Sequence, residues 1–240
     1  MNLLLLEPDE VAGDGVAVLT GRRALHARAV LDVQAGDTVR VGVLGGMTGT
    51  AVVETRAGDA VTLRVTLDAP PPPRARVDVV LAIPRPRALK RVLPALAAFG
   101  VDRVVLVNAY RVEKSYFDSK VLAPDYAGAL FREGLEQARD TILPELLVRP
   151  LLRPFVEDEL DAWCGQGSRR LVLHPVAAVP LAPLARTERA VVAIGPEGGW
   201  IPFEIDLLGA QGFHAVSLGA RALRTEVAVA AALGALCLRT

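Results

Sequence analysis

Two short apolar runs near the end of the chain each stop abruptly at a loop that contains glycine. Ala190–Ile194 runs into the loop 195–199, and the run 214–218 ends at the loop 219–221. Runs of this length bounded by glycine predict buried strands. Because each loop leads into a predicted helix, both lie at carboxyl ends of strands, where open α/β sheets bind ligands. Glycine admits a ligand close to the backbone, so the pattern predicts a pocket built mainly from main-chain atoms.

The chain from residue 77 onward alternates between predicted strands and predicted helices. The strands are expected at 77–83, 104–107, 146–148, 171–173, 190–194 and 214–218, and the helices at 87–99, 124–138, 156–164, 202–210 and 225–238. This alternation is typical of a mostly parallel sheet with helices on both faces. Pro94 lies inside the first of these helices, so we expect either a kink there or a later start.

The first 67 residues have a different pattern, with alternating apolar residues separated by turns that contain glycine. They predict a small barrel of short strands, interrupted by one short helix at 22–31. Four consecutive prolines at 70–73 favour a stiff spacer. We therefore expect a β domain over 1–70 and an α/β domain over 74–240.

The composition is that of a neutral protein with a large aliphatic core. The formal net charge is zero and 52% of residues are hydrophobic, so no global field indicates a nucleic-acid partner. Residues 84–114 nevertheless contain seven Lys or Arg against two acidic residues. This surplus either contacts phosphates or forms an ordinary solvated face. The two distant cysteines favour a reducing compartment, and no run reaches membrane-spanning length, so we expect a soluble, cytoplasmic protein without a membrane partner.

Familiar site motifs do not fit this sequence. The late glycines match neither the P-loop nor the dinucleotide fingerprint, no G-x-S-x-G is present, and no metal-ligand spacing occurs. We therefore predict no metal. The residues alone indicate an α/β domain whose ligand pocket combines backbone groups with Arg and Glu.

Three segments in this order resemble the signature of a known family. They are residues 194–199 (IGPEGG), Glu204, and residues 217–226 (SLGARALRTE), supported by the segment 173–175 (LHP). This set is similar to the RsmE family of the SPOUT superfamily, bacterial methyltransferases that modify N3 of a uridine in 16S ribosomal RNA of the small subunit. The start of the chain is similar to the family's PUA-like RNA-binding domain.

The resemblance implies a trefoil-knotted α/β methyltransferase domain, a homodimer and the cofactor S-adenosylmethionine. The implied cofactor-binding residues are Leu173, His174, Pro175, Ile194, Gly195, Pro196, Gly198, Gly199, Leu218, Gly219, Arg221 and Leu223. The candidates for RNA binding are Arg22, Arg23, His26, Arg28, Arg85, Arg87, Lys90 and Arg139. The partner would be 16S ribosomal RNA or the small ribosomal subunit.

Arg224, Glu226 and Glu197 are the candidate catalytic residues. Removal of the N3 proton spreads negative charge over the uracil ring, and a cation at Arg224 would stabilise it. The alternative is a structural pairing of Arg224 with Glu226 or Glu197. We expect the two glutamates to orient Arg224 or to cap backbone amides, because an exposed carboxylate is too weak a base for this proton.

Two further readings stay open. One is a related knotted methyltransferase that acts on another RNA, for example at a ribose 2′-oxygen. The other is a non-catalytic RNA-binding factor in ribosome assembly that kept the fold, which the zero net charge allows. A metabolic enzyme with a nucleotide cofactor is disfavoured because its fingerprints are missing.

Overall fold

The computed structural model describes residues 2–30, 34–58, 60–165, 167–185 and 188–237, without the side chains of residues 22, 26 and 28–30. The chain forms two compact units. The first consists of residues 1–73 and 132–143, and the second of residues 74–131 and 144–240. The chain leaves the first unit at the proline run, close to the expected boundary.

A five-stranded sheet forms the first unit. Its strands are β1 (Leu4–Leu6), β2 (Val16–Thr20), β3 (Thr38–Val43), β4 (Thr48–Ala57) and β5 (Ala60–Ala69), in the order β1-β3-β4-β5-β2. β1 pairs with β3 in parallel and the other pairs are antiparallel. Along β5, Val61, Leu63 and Val65 are buried and alternate with more exposed residues, as one buried face requires.

The short helix expected in this unit is present as α1 (Gly21–Val30). It begins one residue before the predicted start, and the predicted last residue, Leu31, lies outside the described residues. Ala24 and Ala27 are buried in the same core as the strands. Their spacing predicts a helix because it places both side chains on this one buried face.

Residues 132–143 differ from the expectation, because they join the first unit and not the α/β unit. Arg132 pairs with Glu7 at 3.0 Å. Thr141 donates from its hydroxyl to the Gly46 carbonyl at 2.6 Å and accepts at its own carbonyl from the amide of Gly45. These contacts join segments 95 to 125 residues apart, so no local pattern could predict them.

The second unit contains a six-stranded sheet in which every pairing is parallel. Its strands are β6 (Val77–Ala82), β7 (Arg103–Val107), β8 (Glu145–Arg149), β9 (Arg169–Leu173), β10 (Ala190–Ile194) and β11 (His214–Val216), in the order β11-β9-β10-β6-β7-β8. The predicted parallel α/β sheet is confirmed. β11 stops at Val216, two residues early, because Ser217 forms an isolated bridge with Pro180.

The helices that follow β6 in the chain are α2 (Pro86–Ala98), α3 (Pro124–Ala138), α4 (Leu152–Pro154), α5 (Leu160–Cys164), α6 (Pro202–Ala210) and α7 (Thr225–Cys237). They belong to the second unit, except that α3 belongs to the first unit from residue 132 onward. A π-helical turn, Phe155–Glu159, joins α4 to α5, so the helix expected at 156–164 begins earlier. Short 3₁₀ turns at Pro8–Glu10, Lys114–Asp118 and Lys120–Leu122 had not been predicted. None of the described helices has the length and hydropathy needed to cross a membrane.

The helix predicted at 87–99 is present as α2, and of the two alternatives for Pro94 the later start is wrong. α2 starts at Pro86 and continues through Pro94 to Ala98. Proline at the first helical position costs nothing, because that N–H would have no helical partner. Pro94 has no N–H to donate to the carbonyl of Lys90, so one helical hydrogen bond is lost. Lys90 is itself an exposed residue. The apolar face, including Leu89, Leu93 and Leu96, is fully buried and holds the helix in place.

A buried charge cluster lies at the amino end of the sheet. Asp78, on β6, is completely buried and accepts bonds of 2.9–3.1 Å from Arg103 and Arg189. Arg189 also pairs with Asp102 at 2.9 Å. The cluster joins the beginnings of β6, β7 and β10. It therefore lies at the edge of the sheet opposite the carboxyl ends of these strands.

Candidate functional site

A cavity of about 460 Å³ opens at the carboxyl ends of β9, β10 and β11. Its walls come from the loops that follow these strands and from the start of α7. The lining residues are Arg111, Leu173, His174, Pro175, Val176, Ile194, Gly195, Pro196, Glu197, Gly198, Gly199, Trp200, Leu218, Gly219, Arg221, Ala222, Leu223, Thr225 and Ala228. The fold thus brings together around one space all twelve residues predicted to bind a cofactor.

The loop after β10 is shaped by close approaches to its glycines. A Cβ at Gly195 would lie 3.1 Å from Nε1 of Trp200, and a Cβ at Gly198 would lie 2.8 Å from Cδ of Arg111. Gly199 has a φ of +72° in a turn closed by its amide on the Pro196 carbonyl at 2.8 Å. The backbone therefore forms the cavity wall here.

The loop after β11 is a second tight turn. The amide of Gly219 donates to Oγ of Ser217 at 3.0 Å, and the φ of Gly219 is +107°. The amide of His174 donates to the Val216 carbonyl at 2.9 Å, so the loops after β9 and β11 are joined directly. This bond holds two walls of the cavity together.

Two lining residues carry polar groups that we had not assigned to the site. Trp200 is buried, and its Nε1 has no hydrogen-bond partner among the described residues. Arg111 donates from its guanidinium to the Gly198 carbonyl. The only sequence signal for Arg111 was its place in the basic stretch 84–114; its contact with a residue 87 positions later depends on tertiary structure. The predicted set of cofactor-binding residues also omits Val176, Ala222, Thr225 and Ala228.

The two predicted catalytic glutamates are paired with arginines of the segment 85–91. Oε1 of Glu197 accepts from both the amide and Nε of Arg85 at 3.3 Å. Oε1 of Glu226 accepts from Arg91 at 2.7 Å. The pKa of Glu226 is lowered, first by a bond from its own backbone amide and then by Arg91, with a smaller contribution from Arg224. A carboxylate with a lowered pKa is a weak proton acceptor.

Arg224 is exposed and precedes α7 directly, and its carbonyl accepts from the amides of Val227 and Ala228. The neighbouring Arg221, Ala222, Leu223 and Thr225 line the cavity, whereas Arg224 does not. The alternative of a structural pairing of Arg224 with Glu226 or Glu197 is not what the described contacts show, because these glutamates form ion pairs with Arg91 and Arg85.

The predicted RNA-binding residues lie in two sets. In the first unit, Arg23 pairs with Glu10 at 2.7 Å and donates to the Leu5 carbonyl, and Arg139 is exposed with a φ of +60°. The side chains of Arg22, His26 and Arg28 lie outside the described residues.

In the second unit, Arg87 and Lys90 are exposed on α2, and Nζ of Lys90 lies 5.1 Å from the ring centre of Tyr126. Arg85 holds Glu197, as described above. The described residues contain no group of three or more His, Cys, Asp or Glu suited to a metal ion.

Solved structures share this fold. A ribosomal RNA small subunit methyltransferase E from Neisseria gonorrhoeae bound to S-adenosyl methionine has a TM-score of 0.75 and 21% identity, over 96% of this chain and 95% of that one. A putative methyltransferase from Legionella pneumophila in complex with SAM has a TM-score of 0.73 and 23% identity, over 98% of this chain and 96% of that one.

Sequence comparison gives the family. Residues 70–237 match the RNA methyltransferase domain family. Ribosomal RNA small subunit methyltransferase E of Treponema pallidum is 32% identical over 97% of this chain and 89% of its own length. The protein of that name from Mycobacterium bovis is 30% identical over 98% of this chain and 91% of its own length. The chain therefore belongs to the RNA methyltransferase domain family and, within it, to the family of ribosomal RNA small subunit methyltransferase E.

Proposed function

We propose that this protein transfers a methyl group from S-adenosylmethionine to N3 of a uridine in 16S ribosomal RNA of the small subunit. The observation that carries the proposal is the cavity at the ends of β9, β10 and β11, because every residue that the family resemblance assigned to the cofactor lines it. Membership of the RNA methyltransferase family supports the reaction class.

The cavity fits the cofactor in size and in chemistry. A volume of about 460 Å³ lies within the range of about 300–1,000 Å³ that is typical of small-ligand sites. The glycines at 195 and 198 leave no Cβ between the backbone and a ligand, and the unpartnered Nε1 of Trp200 offers a donor. Buried polar groups without a partner are rare in folded proteins, so this nitrogen supports a polar ligand.

When bound, S-adenosylmethionine supplies an electrophilic methyl group on a sulfonium. The loop residues 195–199 and 217–223 would hold the adenosyl portion through main-chain groups. Arg221, which lines the cavity and is exposed, would face an anionic group. The chain's contribution to the rate is chiefly to fix the reacting atoms in line.

The N3 atom lies on the pairing edge of uracil, so the target base must be unpaired or turned out of its helix. Arg224 would stabilise the charge that develops on the ring oxygens once N3 loses its proton. Glu226 accepts a bond from Arg91, and Glu197, which lines the cavity, accepts one from Arg85. Neither glutamate is assigned as the base, because both carboxylates already accept bonds from arginine.

The finer features of the proposal concern architecture and partners. The first unit would be a PUA-like β-barrel that binds RNA with α1, the second unit a trefoil-knotted SPOUT domain, and the active form a homodimer in the cytoplasm. The strand order of the second sheet, in which β10 separates β9 from β6, is compatible with such a knot. The exposed cations of α2 support an RNA surface on the second unit.

The test is methyl transfer to small ribosomal subunits from a strain that lacks the corresponding gene. Incubation with the protein and S-adenosylmethionine should produce 3-methyluridine in 16S RNA, detected by mass spectrometry of the nucleosides. If a 2′-O-methylated nucleoside is found in place of 3-methyluridine, the target is the ribose 2′-oxygen and not N3 of uracil. Absence of any new methylated nucleoside on subunits or on free RNA would reject the proposal.

A further inference from the structure

A second cavity, of about 480 Å³, lies at the carboxyl ends of β7 and β8. Its walls are the loop after β7, the segment that begins α4, and the start of α6. The lining residues are Asn108, Ala109, Tyr110, Val112, Lys114, Pro150, Leu151, Leu152, Arg153, Pro154, Ile201, Phe203, Glu204 and Leu207. The mechanism above uses none of them.

This cavity is a neighbour of the cofactor cavity. The loop 108–112 contributes Arg111 to the first cavity, and Asn108, Tyr110 and Val112 to the second. Trp200 lines the first cavity and the adjacent Ile201 lines the second. The two cavities are therefore separated only by the loop 108–112 and by the chain at residues 200–201. One RNA strand could occupy both cavities.

The wall between the loop and α6 is fixed by one buried carboxylate. Glu204 is 4% exposed. Its Oε1 accepts from the amide of Tyr110 at 2.8 Å and its Oε2 accepts from the amide of Ile201 at 2.9 Å. Because both oxygens are used inside the protein, Glu204 builds the pocket and does not present a free anion to it.

Aromatic and apolar side chains stand unusually exposed at this cavity. Tyr110 is 79% exposed, Leu151 63% and Phe203 55%. Exposed apolar groups that cluster at a cavity mark ligand or partner sites. Two aromatic rings suit a flat aromatic ligand, since stacking on aromatic side chains is the main way in which proteins hold unpaired bases.

The cavity also offers an unsatisfied polar group. Oδ1 of Asn108 is buried and has no hydrogen-bond partner among the described residues. A side-chain amide can pair with the polar edge of a base. Lys114 and Arg153 add positive charge to the lining, although Arg153 also pairs with Glu157 at 2.9 Å. Stacking surfaces, an amide and cations together match a nucleotide.

We propose that this second cavity binds an unpaired nucleotide of the substrate RNA, one that flanks the nucleotide undergoing methylation. The inference rests on the proposed function, because it takes the RNA strand to pass from one cavity to the other. Tyr110 and Phe203 stack on the base, and the Asn108 amide contacts its polar edge. The site thereby contributes to the choice of the RNA sequence.

The test compares RNA binding with cofactor binding in the full chain. Tyr110→Ala and Phe203→Ala remove exposed rings and leave the backbone amide of Tyr110 on Glu204. Each should weaken binding of a fluorescein-labelled single-stranded 16S RNA fragment about tenfold by anisotropy, and should raise KM for small subunits while kcat and the affinity for S-adenosylmethionine change little. Tyr110→Phe keeps the ring and should restore most of the affinity.

Val179→Ala is the matched control, because Val179 is 57% exposed and lines neither cavity. Photocross-linking of the fragment carrying 4-thiouridine should label peptides that contain Tyr110 or Phe203, and excess adenosine monophosphate should compete if a free nucleotide suffices. Unchanged RNA affinity in both alanine variants would overturn the inference, as would a change of oligomeric state in place of a change in affinity.

Failure of this inference differs from failure of the proposed function. If the unaltered chain methylates small subunits and the alanine variants do so with unchanged KM, only the second site is rejected. If the unaltered chain binds S-adenosylmethionine and methylates no RNA, the proposed function is rejected together with the role assigned to this cavity.

Discussion

At the scale of single residues, Arg224 is the side chain on which the proposed chemistry depends most. It is exposed beside the cavity and its neighbours on both sides line that cavity. We expect Arg224→Ala to lower kcat about a hundredfold, the size of effect seen when one donor to a developing anion is removed. The measurement is methyl transfer to small subunits under saturating cofactor.

The control for this prediction is Arg224→Lys, which keeps the charge and should retain part of the activity. Affinity for S-adenosylmethionine, measured separately, should change less than twofold in both variants because Arg224 does not line the cavity. Undiminished turnover in Arg224→Ala would reject the catalytic role and would leave Arg224 only its backbone role at the start of α7.

Glu226 gives a prediction about pH. Its pKa is lowered from the ordinary value of 4.5 by its own amide and by Arg91. A lowered pKa means that the folded chain binds the proton less readily than the unfolded chain, so the stabilisation is present above pH 4.5 and is lost as the pH falls through the lowered pKa.

The difference in free energy of unfolding between the unaltered chain and Glu226→Gln should therefore be constant near neutrality and should shrink in acid. Urea titrations at a series of pH values measure it. A difference that stays the same from pH 7 to well below 4.5 would show that the pair with Arg91 does not act through the charge of Glu226.

At the scale of elements, we expect Asp78 to stabilise the amino end of the six-stranded sheet. This carboxylate is completely buried between Arg103 and Arg189. Removing one partner of a buried ion pair leaves charges uncompensated and costs about 3–5 kcal/mol. We expect Asp78→Ala to lower the free energy of unfolding by roughly that amount, measured by urea denaturation.

Glu157→Gln is the control for Asp78→Ala, because it breaks an exposed pair with Arg153 one helical turn away. Exposed ion pairs of this kind contribute about 0.5 kcal/mol or less to the free energy of unfolding. Equal losses in the two variants would mean that the buried cluster does not hold the strands together.

The strands and helices of the second unit could be predicted because their signals are local. Short apolar runs predicted all six parallel strands, and the two runs that end at glycine, at Gly195 and Gly219, marked two walls of the site. The alternative of a late start for α2 fails because the rule for proline is local, whereas the buried face with Leu89 and Leu93 stabilises the helix on both sides of Pro94.

What could not be predicted depends on contacts between distant residues. The bond from Arg111 to Gly198 and the second cavity at Asn108 arise only when the parallel strands bring their ends to one edge. The attachment of residues 132–143 to the first unit likewise requires Thr141 to meet Gly46. Hydrophobic spacing carries no information on such pairs.

At the scale of the whole molecule, the proposed homodimer concerns the surface of α7. Val227 is 47% exposed, although the helix is apolar almost throughout. A dimer would cover such a surface. Light scattering at micromolar concentration should give twice the mass of one chain, and Val227→Asp should shift the mass toward that of one chain. A single-chain mass for the unaltered protein would contradict the dimer.

Titration calorimetry with S-adenosylmethionine tests the central claim, that the cavity at β9, β10 and β11 holds the methyl donor. The unaltered chain should bind one molecule per chain. Gly198→Ala should bind about tenfold more weakly, about 1.4 kcal/mol, because its Cβ would lie 2.8 Å from Cδ of Arg111. Gly209→Ala, with open space at its Cβ position, should bind as the unaltered chain does. No heat from the unaltered chain, or equal affinity in Gly198→Ala, would contradict the claim.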